Sequence, residues 1–88
     1  MIDRRPFDIQ VTRRAEKDLN RLTPKLRRKL YEVLTEVIAH DPYQGKKLVG
    51  DLAGSYSYRL TLHDRIVYSI DAKTRTVYIE RAATHYGE

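Results

Sequence analysis

Two alternating segments, residues 55–61 and 65–71, constrain the fold of this chain more than any other feature. In both segments every second side chain is apolar or aromatic, which is the pattern of a β-strand with one buried face. A hairpin buries both sets together only if the numbers of paired residues sum to an even value, because a slip of one residue turns every side chain over. A loop formed by residues 62–64 satisfies this condition and predicts a hairpin that pairs Arg59 with Val67.

The next turn continues this register into a third strand. It places Arg65 opposite Ala82, so the chain that leaves the third strand begins beside that arginine. This last stretch of the chain contains the pair His85-Tyr86. The pattern therefore predicts that a guanidinium, an imidazole and a phenol converge at one edge of the sheet.

The rest of the chain predicts one strand and two helices ahead of this meander. Residues 7–11 alternate like a strand, and helical spacing of apolar residues extends from Thr12 to Leu22 and from Thr23 to Ala39. Both threonines are good N-cap residues. We predict one α+β domain over all 88 residues, in the order β-α-α-β-β-β. The two-helix hairpin should pack on one face of a mostly antiparallel four-stranded sheet.

Composition excludes several classes of protein. The net charge is +5 and comes entirely from the first 50 residues, which favours a polyanionic partner. The chain has no cysteine, so neither a disulfide framework nor a thiolate metal site is expected. No apolar run approaches the roughly 18–20 residues of a membrane span. We therefore expect a cytoplasmic protein that uses no cofactor, no metal and no membrane.

The chemistry of the C-terminal residues points to RNA. Cleavage of RNA by its own 2′-hydroxyl group needs a base, an acid, and cations that stabilise the charge of the transition state. His85 can exchange a proton near neutral pH, Arg65 can donate paired hydrogen bonds to a phosphate, and Tyr86 can stack on a base or orient the phosphate. These three residues are the catalytic candidates, although an exposed tail histidine is the alternative for His85. The other histidines, His40 and His63, are interpreted as structural.

Three further basic residues are candidates for binding RNA. Arg59 shares the polar face of the predicted sheet, and Lys46 and Lys47 lie in a segment, residues 43–54, that is predicted to be a structured loop. Each has an alternative interpretation. The arginines could be ion-pair partners of Glu80 on the same face, and the lysine pair could simply be solvated.

The C-terminal half also contains a recognisable set of residues: Lys47-Leu48, Gly50, Leu52, Gly54, Tyr56-Ser57, Arg59-Leu60, Arg65-Ile66-Val67-Tyr68 and the pair His85-Tyr86. With these residues the chain resembles the RelE/ParE toxin superfamily. The arginine-to-tyrosine motif with its later His-Tyr pair is most similar to the YoeB (Txe) branch. The resemblance covers essentially the whole chain and implies the microbial RNase-like RelE fold.

This resemblance implies the toxin of a type II toxin–antitoxin system. Such a toxin is an mRNA interferase, a metal-independent endoribonuclease that cuts mRNA in the ribosomal A site by 2′-hydroxyl attack. A cognate antitoxin neutralises it, and the complex of the two can be oligomeric. The resemblance carries the catalytic roles to Arg65, His85 and Tyr86, and a basic strand position to Arg59. The superfamily fold also permits a ParE-like poison of DNA gyrase without nuclease activity, or an inactive partner-binding relative.

Two departures from the YoeB pattern bear on the mechanism. YoeB-like toxins place a glutamate, proposed as the general base, in the loop that here reads Lys46-Lys47, and this chain continues past the tyrosine with Gly87-Glu88. A lysine-rich catalytic surface is instead similar to the RelE branch. Either Glu80 or the ribosome is then expected to replace the missing carboxylate.

Overall fold

The computed structural model describes residues 5–83. The strands and helices of these residues are, in chain order, β1 (Asp8–Val11), α1 (Arg13–Leu19), α2 (Pro24–Val33), β2 (Lys46–Lys47), β3 (Ser55–Arg59), β4 (Arg65–Asp71) and β5 (Thr76–Ala83). Helix α2 continues through a π-helical turn, Leu34–Ile38, and single 3-10 turns occupy Pro42–Gln44 and Gly50–Leu52. Across residues 5–83, no helix is long and apolar enough to cross a membrane.

The strands form one sheet in the order β1-β5-β4-β3-β2, with β1 parallel to β5 and the other neighbours antiparallel. The predicted α+β class is confirmed, but the sheet has five strands rather than four. The additional strand is β2, which the sequence analysis placed in a loop. Lys46 pairs with Ser57, and Lys47 pairs with Tyr56. Two residues are too few for an alternating pattern to reveal a strand.

Both predicted helix starts are confirmed. The Oγ1 atom of Thr12 accepts a hydrogen bond from the N–H of Ala15 at 3.2 Å, and the Oγ1 atom of Thr23 accepts one from the N–H of Leu26 at 3.2 Å. These bonds satisfy N–H groups that the first turn of a helix leaves without an intrahelical partner. Thr12 also donates to the carbonyl of Ile79 at 2.9 Å, so the same cap attaches α1 to β5.

The core lies between the helices and one face of the sheet. Its helical side chains include Leu19, Leu30, Leu34 and Ile38, and its strand side chains include Ile66, Tyr68, Val77 and Ile79. Tyr56 and Tyr58 pack against its edge, as their strand spacing predicts. The opposite face of the sheet is therefore left for polar side chains.

The β3–β4 hairpin has the predicted faces but a different loop. Arg59 pairs with Arg65 instead of the predicted valine, and the loop contains five residues rather than three. The N–H groups of Leu60 and Thr61 donate to the carbonyl of Asp64 at 2.7 Å and 3.2 Å and close this loop. The difference from the predicted register is two residues. Each side chain therefore stays on its predicted face.

Strand β5 carries a β-bulge that shifts the end of the sheet. The register changes so that Glu80 is an extra residue, and Arg65 pairs with Ala83 rather than with the predicted Ala82. The N–H of Ala82 instead donates to the carboxylate of Asp18 at 3.0 Å. A contact with helix α1 thus accompanies the irregularity. The described chain still ends beside Arg65, one residue later than predicted.

Candidate functional site

A basic cavity lies at the β3–β4 loop, on the sheet face opposite the helices. It has a volume of about 400 Å³. Its lining residues come from β2, β3, β4 and the loop: Lys46, Ser57, Arg59, Leu62, His63, Asp64 and Arg65. We call this space the basic cavity. It contains three of the residues that the sequence predicted for the site.

The two arginines of the basic cavity stand directly opposite each other in the hairpin. Arg59 and Arg65 are paired across β3 and β4, and both are exposed. Like charges at directly opposed strand positions destabilise a sheet. An anion between the two guanidinium groups would remove that repulsion and accept paired hydrogen bonds. The arrangement therefore favours an anionic ligand such as a phosphate.

The two lysines of β2 separate onto different faces. Lys46 pairs with Ser57 and lines the basic cavity with it. Lys47 pairs with Tyr56 and lines a second cavity of about 380 Å³ together with Tyr43. The structure thus brings Lys46 to the arginines and places Lys47 elsewhere. Successive residues of a strand point to opposite faces, so the predicted pair cannot act as one unit.

Lys46 is positioned by a buried tyrosine. The Oη atom of Tyr68 donates to the carbonyl of Pro42 at 2.6 Å. Burial raises the pKa of the Tyr68 phenol to about 12, although a backbone hydrogen bond with Gly45 acts in the opposite direction. A Cβ atom at Gly45 would lie 2.1 Å from the same Oη atom. This close approach requires glycine there and anchors the segment that leads into Lys46.

The loop that presents His63 is held by hydrogen bonds around one hydroxyl group. The Oγ1 atom of Thr61 donates to the Oδ2 atom of Asp64 at 2.5 Å and accepts from the N–H groups of His63 and Asp64 at 3.3 Å and 3.1 Å. His63 is exposed at the loop and lines the basic cavity. On its sequence context alone, His63 is interpreted as a structural turn residue. Its position two residues before Arg65 was the signal that could have placed it at the site.

Glu80 lies on the same open face but outside the basic cavity. Its Oε1 atom accepts a hydrogen bond from the Oγ of Ser55 at 2.9 Å. Ser55 is the first residue of β3, whereas Arg59, which lines the cavity, is the last. This carboxylate is thus held toward the far end of β3 from the two arginines. Its predicted role as a base stays a prediction.

The remaining catalytic candidates, His85 and Tyr86, lie outside the described residues. The last described residue, Ala83, pairs with Arg65. The described part of β5 therefore ends at the rim of the basic cavity. Of the six predicted site residues, Lys46, Arg59 and Arg65 meet there, and Lys47 does not.

Comparison with known proteins identifies the family. Residues 9–87 match the family model of the ParE-like toxin of type II bacterial toxin–antitoxin systems. The chain belongs to this toxin family. It is 32% identical to the toxin RelG of Mycobacterium tuberculosis over 77 residues, which cover 86% of this chain and 87% of that protein. The predicted membership of the RelE/ParE superfamily is confirmed.

Solved structures of related toxins support the same assignment. The toxin–antitoxin complex RelBE2 from M. tuberculosis contains a chain with a TM-score of 0.87 and 30% identity to this toxin, over 94% of this chain and 95% of that chain. The YoeB–YefM complex from Staphylococcus aureus gives 0.73 and 25% identity, over 91% and 98%. The toxin is thus similar to both RelE-type and YoeB-type structures, as the sequence predicts.

Proposed function

We propose that this toxin is a ribosome-dependent mRNA endoribonuclease that inhibits translation in the cytoplasm. The observation that carries the proposal is the basic cavity, where Arg59 and Arg65 oppose each other and Lys46 adds a third cation. Three cations around one space suit a phosphodiester whose negative charge grows in the transition state. Removing one such donor typically slows a reaction by about 10²–10³-fold.

The C-terminal residues would complete the site. In the sequence, His85 follows Ala83 by two residues, and Ala83 pairs with Arg65. An imidazole can exchange a proton near neutral pH, so His85 is the proposed donor of the proton to the departing 5′-oxygen. Tyr86 would stack on a base or orient the phosphate. Attack by the 2′-hydroxyl group would then give a 2′,3′-cyclic phosphate and a free 5′-hydroxyl, with no metal in the reaction.

A cognate antitoxin would silence this activity. The proposal is supported by the related structures, in which RelE-type and YoeB-type toxins are in complex with antitoxins. For this chain we propose an antitoxin that covers the basic cavity or displaces the C-terminal residues, in a complex that can be oligomeric. Because such a partner binds only the folded toxin, it should also raise the melting temperature.

A gyrase poison is the competing function, since the matched family model is described as ParE-like. A poison binds its target and inhibits it without proton transfer. Such a function gives no role to the imidazole of His85, which the sequence predicts to lie close to Arg59 and Arg65. The chemistry of the site therefore favours the nuclease.

Induced expression with mapping of mRNA 5′ ends tests the two functions together. The wild-type toxin should produce new 5′ ends within translated codons and no gyrase-linked DNA damage. His85→Ala should abolish both cleavage and growth arrest, while circular dichroism shows an unchanged fold. DNA damage without new mRNA ends would establish the competing function, and undiminished cleavage by His85→Ala would remove that residue from the mechanism.

A further inference from the structure

An open groove runs along helix α2 and the π-helical turn that continues it. Two adjoining cavities, of about 640 Å³ and 420 Å³, form this groove, and both are lined by Glu32 and Val33. Its apolar residues, Leu26, Val33 and Val37, pack against the core and are only partly buried. We call this surface the α2 groove. It leaves apolar surface open beside charged side chains.

The charged residues that α2 and its π-helical turn contribute to this groove are sorted by sign along the helix. The N-terminal half is basic, with Lys25, Arg28 and Lys29, and the C-terminal half is acidic, with Glu32 and Glu36. All five side chains are exposed, and within residues 5–83 none of them forms an ion pair. Lys25 and Lys29 are four residues apart, as are Glu32 and Glu36, and like charges at this spacing destabilise a helix. The fold thus places two blocks of like charge side by side without compensating either.

This order of charges makes the α2 groove complementary to a second copy of itself. When two α2 helices lie antiparallel about a two-fold axis between positions 30 and 31, the numbers of opposed residues sum to 61. Lys25 of one copy then faces Glu36 of the other, and Lys29 faces Glu32. A two-fold axis repeats each contact with the roles of the copies exchanged, so four opposite-charge pairs form.

The apolar residues interlock in the same arrangement. Leu26 of one copy is level with position 35 of the other, and this position lies midway between Val33 and Val37. A side chain that enters the space between residues of a facing helix is the usual form of close helix packing. The stretch from position 25 to position 37 is roughly 18 Å long, because a helix rises about 1.5 Å per residue. One helix pair of this length belongs to the small, transient class of interfaces, so the association should depend on concentration.

We infer that two copies of this toxin associate through their α2 grooves as an antiparallel, two-fold symmetric dimer. The inference does not depend on the nuclease function. A polyanion would suit the basic half of the groove but would be repelled by Glu32 and Glu36, and an uncharged apolar partner would leave both blocks of charge uncompensated. A second copy compensates both halves and covers the apolar residues between them.

Sedimentation velocity of the full-length toxin over a concentration series from micromolar to millimolar tests the dimer. The wild-type sedimentation coefficient should rise with concentration from the monomer value toward the dimer value. The double variant Lys25→Glu with Lys29→Glu makes the groove predominantly acidic, and Glu32→Lys with Glu36→Lys makes it basic. Each double variant alone should stay monomeric, because like charges now oppose each other across the axis. An equimolar mixture of the two should form a heterodimer at least as tight as the wild-type dimer.

A matched control separates the groove from net charge. Arg13→Glu with Lys17→Glu makes the same change in charge at exposed positions of helix α1 and should dimerise as the wild type does. Circular dichroism of each variant should show an unchanged fold. Because the variants are compared in a mixture, a general loss of folding cannot imitate the expected recovery.

Three outcomes would overturn the inference. A wild-type toxin that is monomeric at every concentration would show that a different partner, such as an antitoxin, covers the groove. A wild-type dimer without association in the mixture of the double variants would place the interface on another surface. Loss of the dimer in the α1 control would show that overall charge governs association. None of these results bears on RNA cleavage, so the proposed function would stand or fall by its own test.

Discussion

The two faces of the β3–β4 hairpin consist of alternate residues of the same two strands, yet they have opposite properties. Ile66 and Tyr68 face the helices and are completely buried, whereas Arg59 and Arg65 face away and are exposed. Burying one large apolar side chain contributes about 1.5–3 kcal/mol to stability, whereas directly opposed like charges are destabilising. One face therefore stabilises the fold, whereas the other places two like charges at opposed strand positions, an arrangement that suits the anionic ligand proposed above.

Two contacts couple these faces. Tyr68 reaches from the core to the carbonyl of Pro42 and supports the segment that leads to Lys46. Asp18 on helix α1 accepts hydrogen bonds from the backbone of Ala82 and from Arg81, next to the end of β5. Both contacts connect the stable part of the fold to an edge of the basic cavity. Substitutions away from these contacts should affect either stability or activity, but not both.

The largest difference between the effect on activity and the effect on stability is expected at Arg65. Arg65→Ala should reduce the rate of mRNA cleavage by about 10²–10³-fold, because one transition-state donor is lost. Its melting temperature should stay near that of the wild type, since the side chain is exposed. Arg65→Lys should not restore the rate, because an ammonium group cannot form the paired bonds of a guanidinium. Full activity of the lysine variant would show that charge alone is sufficient.

A loss of stability is expected from substitutions on the buried side of the hairpin. Tyr68→Phe leaves the carbonyl of Pro42 without its donor and should lower the free energy of unfolding by about 1–3 kcal/mol. Gly45→Ala should cost more, because its Cβ atom would lie 2.1 Å from the Tyr68 Oη and 2.9 Å from the Ser57 carbonyl oxygen. Urea unfolding of both variants measures the loss. Equal stability of Gly45→Ala and the wild type would show that the anchor is not needed.

The sequence predicts the faces of the sheet well and its irregularities poorly, for a physical reason. Alternation fixes which side of a strand is buried, and a register error of two residues leaves every face unchanged, so the pattern could not distinguish Arg65 from Val67 as the partner of Arg59. The loop is decided by Thr61 and Asp64, whose mutual hydrogen bonds have no periodic signature.

The β-bulge and the short strand β2 could not be predicted from the sequence for a related reason. The shift at Glu80 accompanies a contact between Ala82 and Asp18, which are 64 residues apart, and no local pattern contains such a contact. Strand β2 directly follows Gly45, which packs against the buried Tyr68, and this too is a tertiary contact. The shared face of Arg59 and Arg65 was therefore predictable from strand parity, but the separation of the two lysines was not.

The second coupling contact makes stability depend on pH. Burial raises the pKa of the Asp18 carboxyl, but hydrogen bonds from Arg81 and from the Ala82 N–H, with the charges of Arg81 and Arg21, outweigh it and hold the pKa below its usual 3.8. A carboxyl group whose pKa is lower in the folded state than in the unfolded state stabilises the protein at pH values above the unfolded-state pKa. This stabilisation is lost as the pH falls through the folded-state pKa. Asp18→Asn should therefore lose about 1 kcal/mol at neutral pH.

Melting curves at several pH values check this assignment. Between about pH 5 and 3 the wild-type melting temperature should fall more steeply than that of Asp18→Asn, because only the wild type has this carboxylate to protonate. Glu16→Gln, which removes an exposed acid from the same helix, is the matched control and should retain the wild-type slope. Identical slopes in all three proteins would mean that the Asp18 contact contributes nothing to the pH dependence.

The smallest expected effect is a difference in RNA binding between variants of Lys46 and Lys47. Lys46 lines the basic cavity and Lys47 lies on the opposite face, so only Lys46→Ala should weaken the binding of RNA at the site. Loss of one phosphate contact to a single strand reduces the slope of log K against log salt by about 0.7. We expect that change for Lys46→Ala, with a few-fold loss of affinity, when binding is measured with a non-cleavable 2′-deoxy oligonucleotide across a salt series. Lys47→Ala has the same change in net charge and controls for long-range electrostatics. Equal slopes for the two variants would indicate that overall charge, rather than the face on which each lysine lies, determines binding.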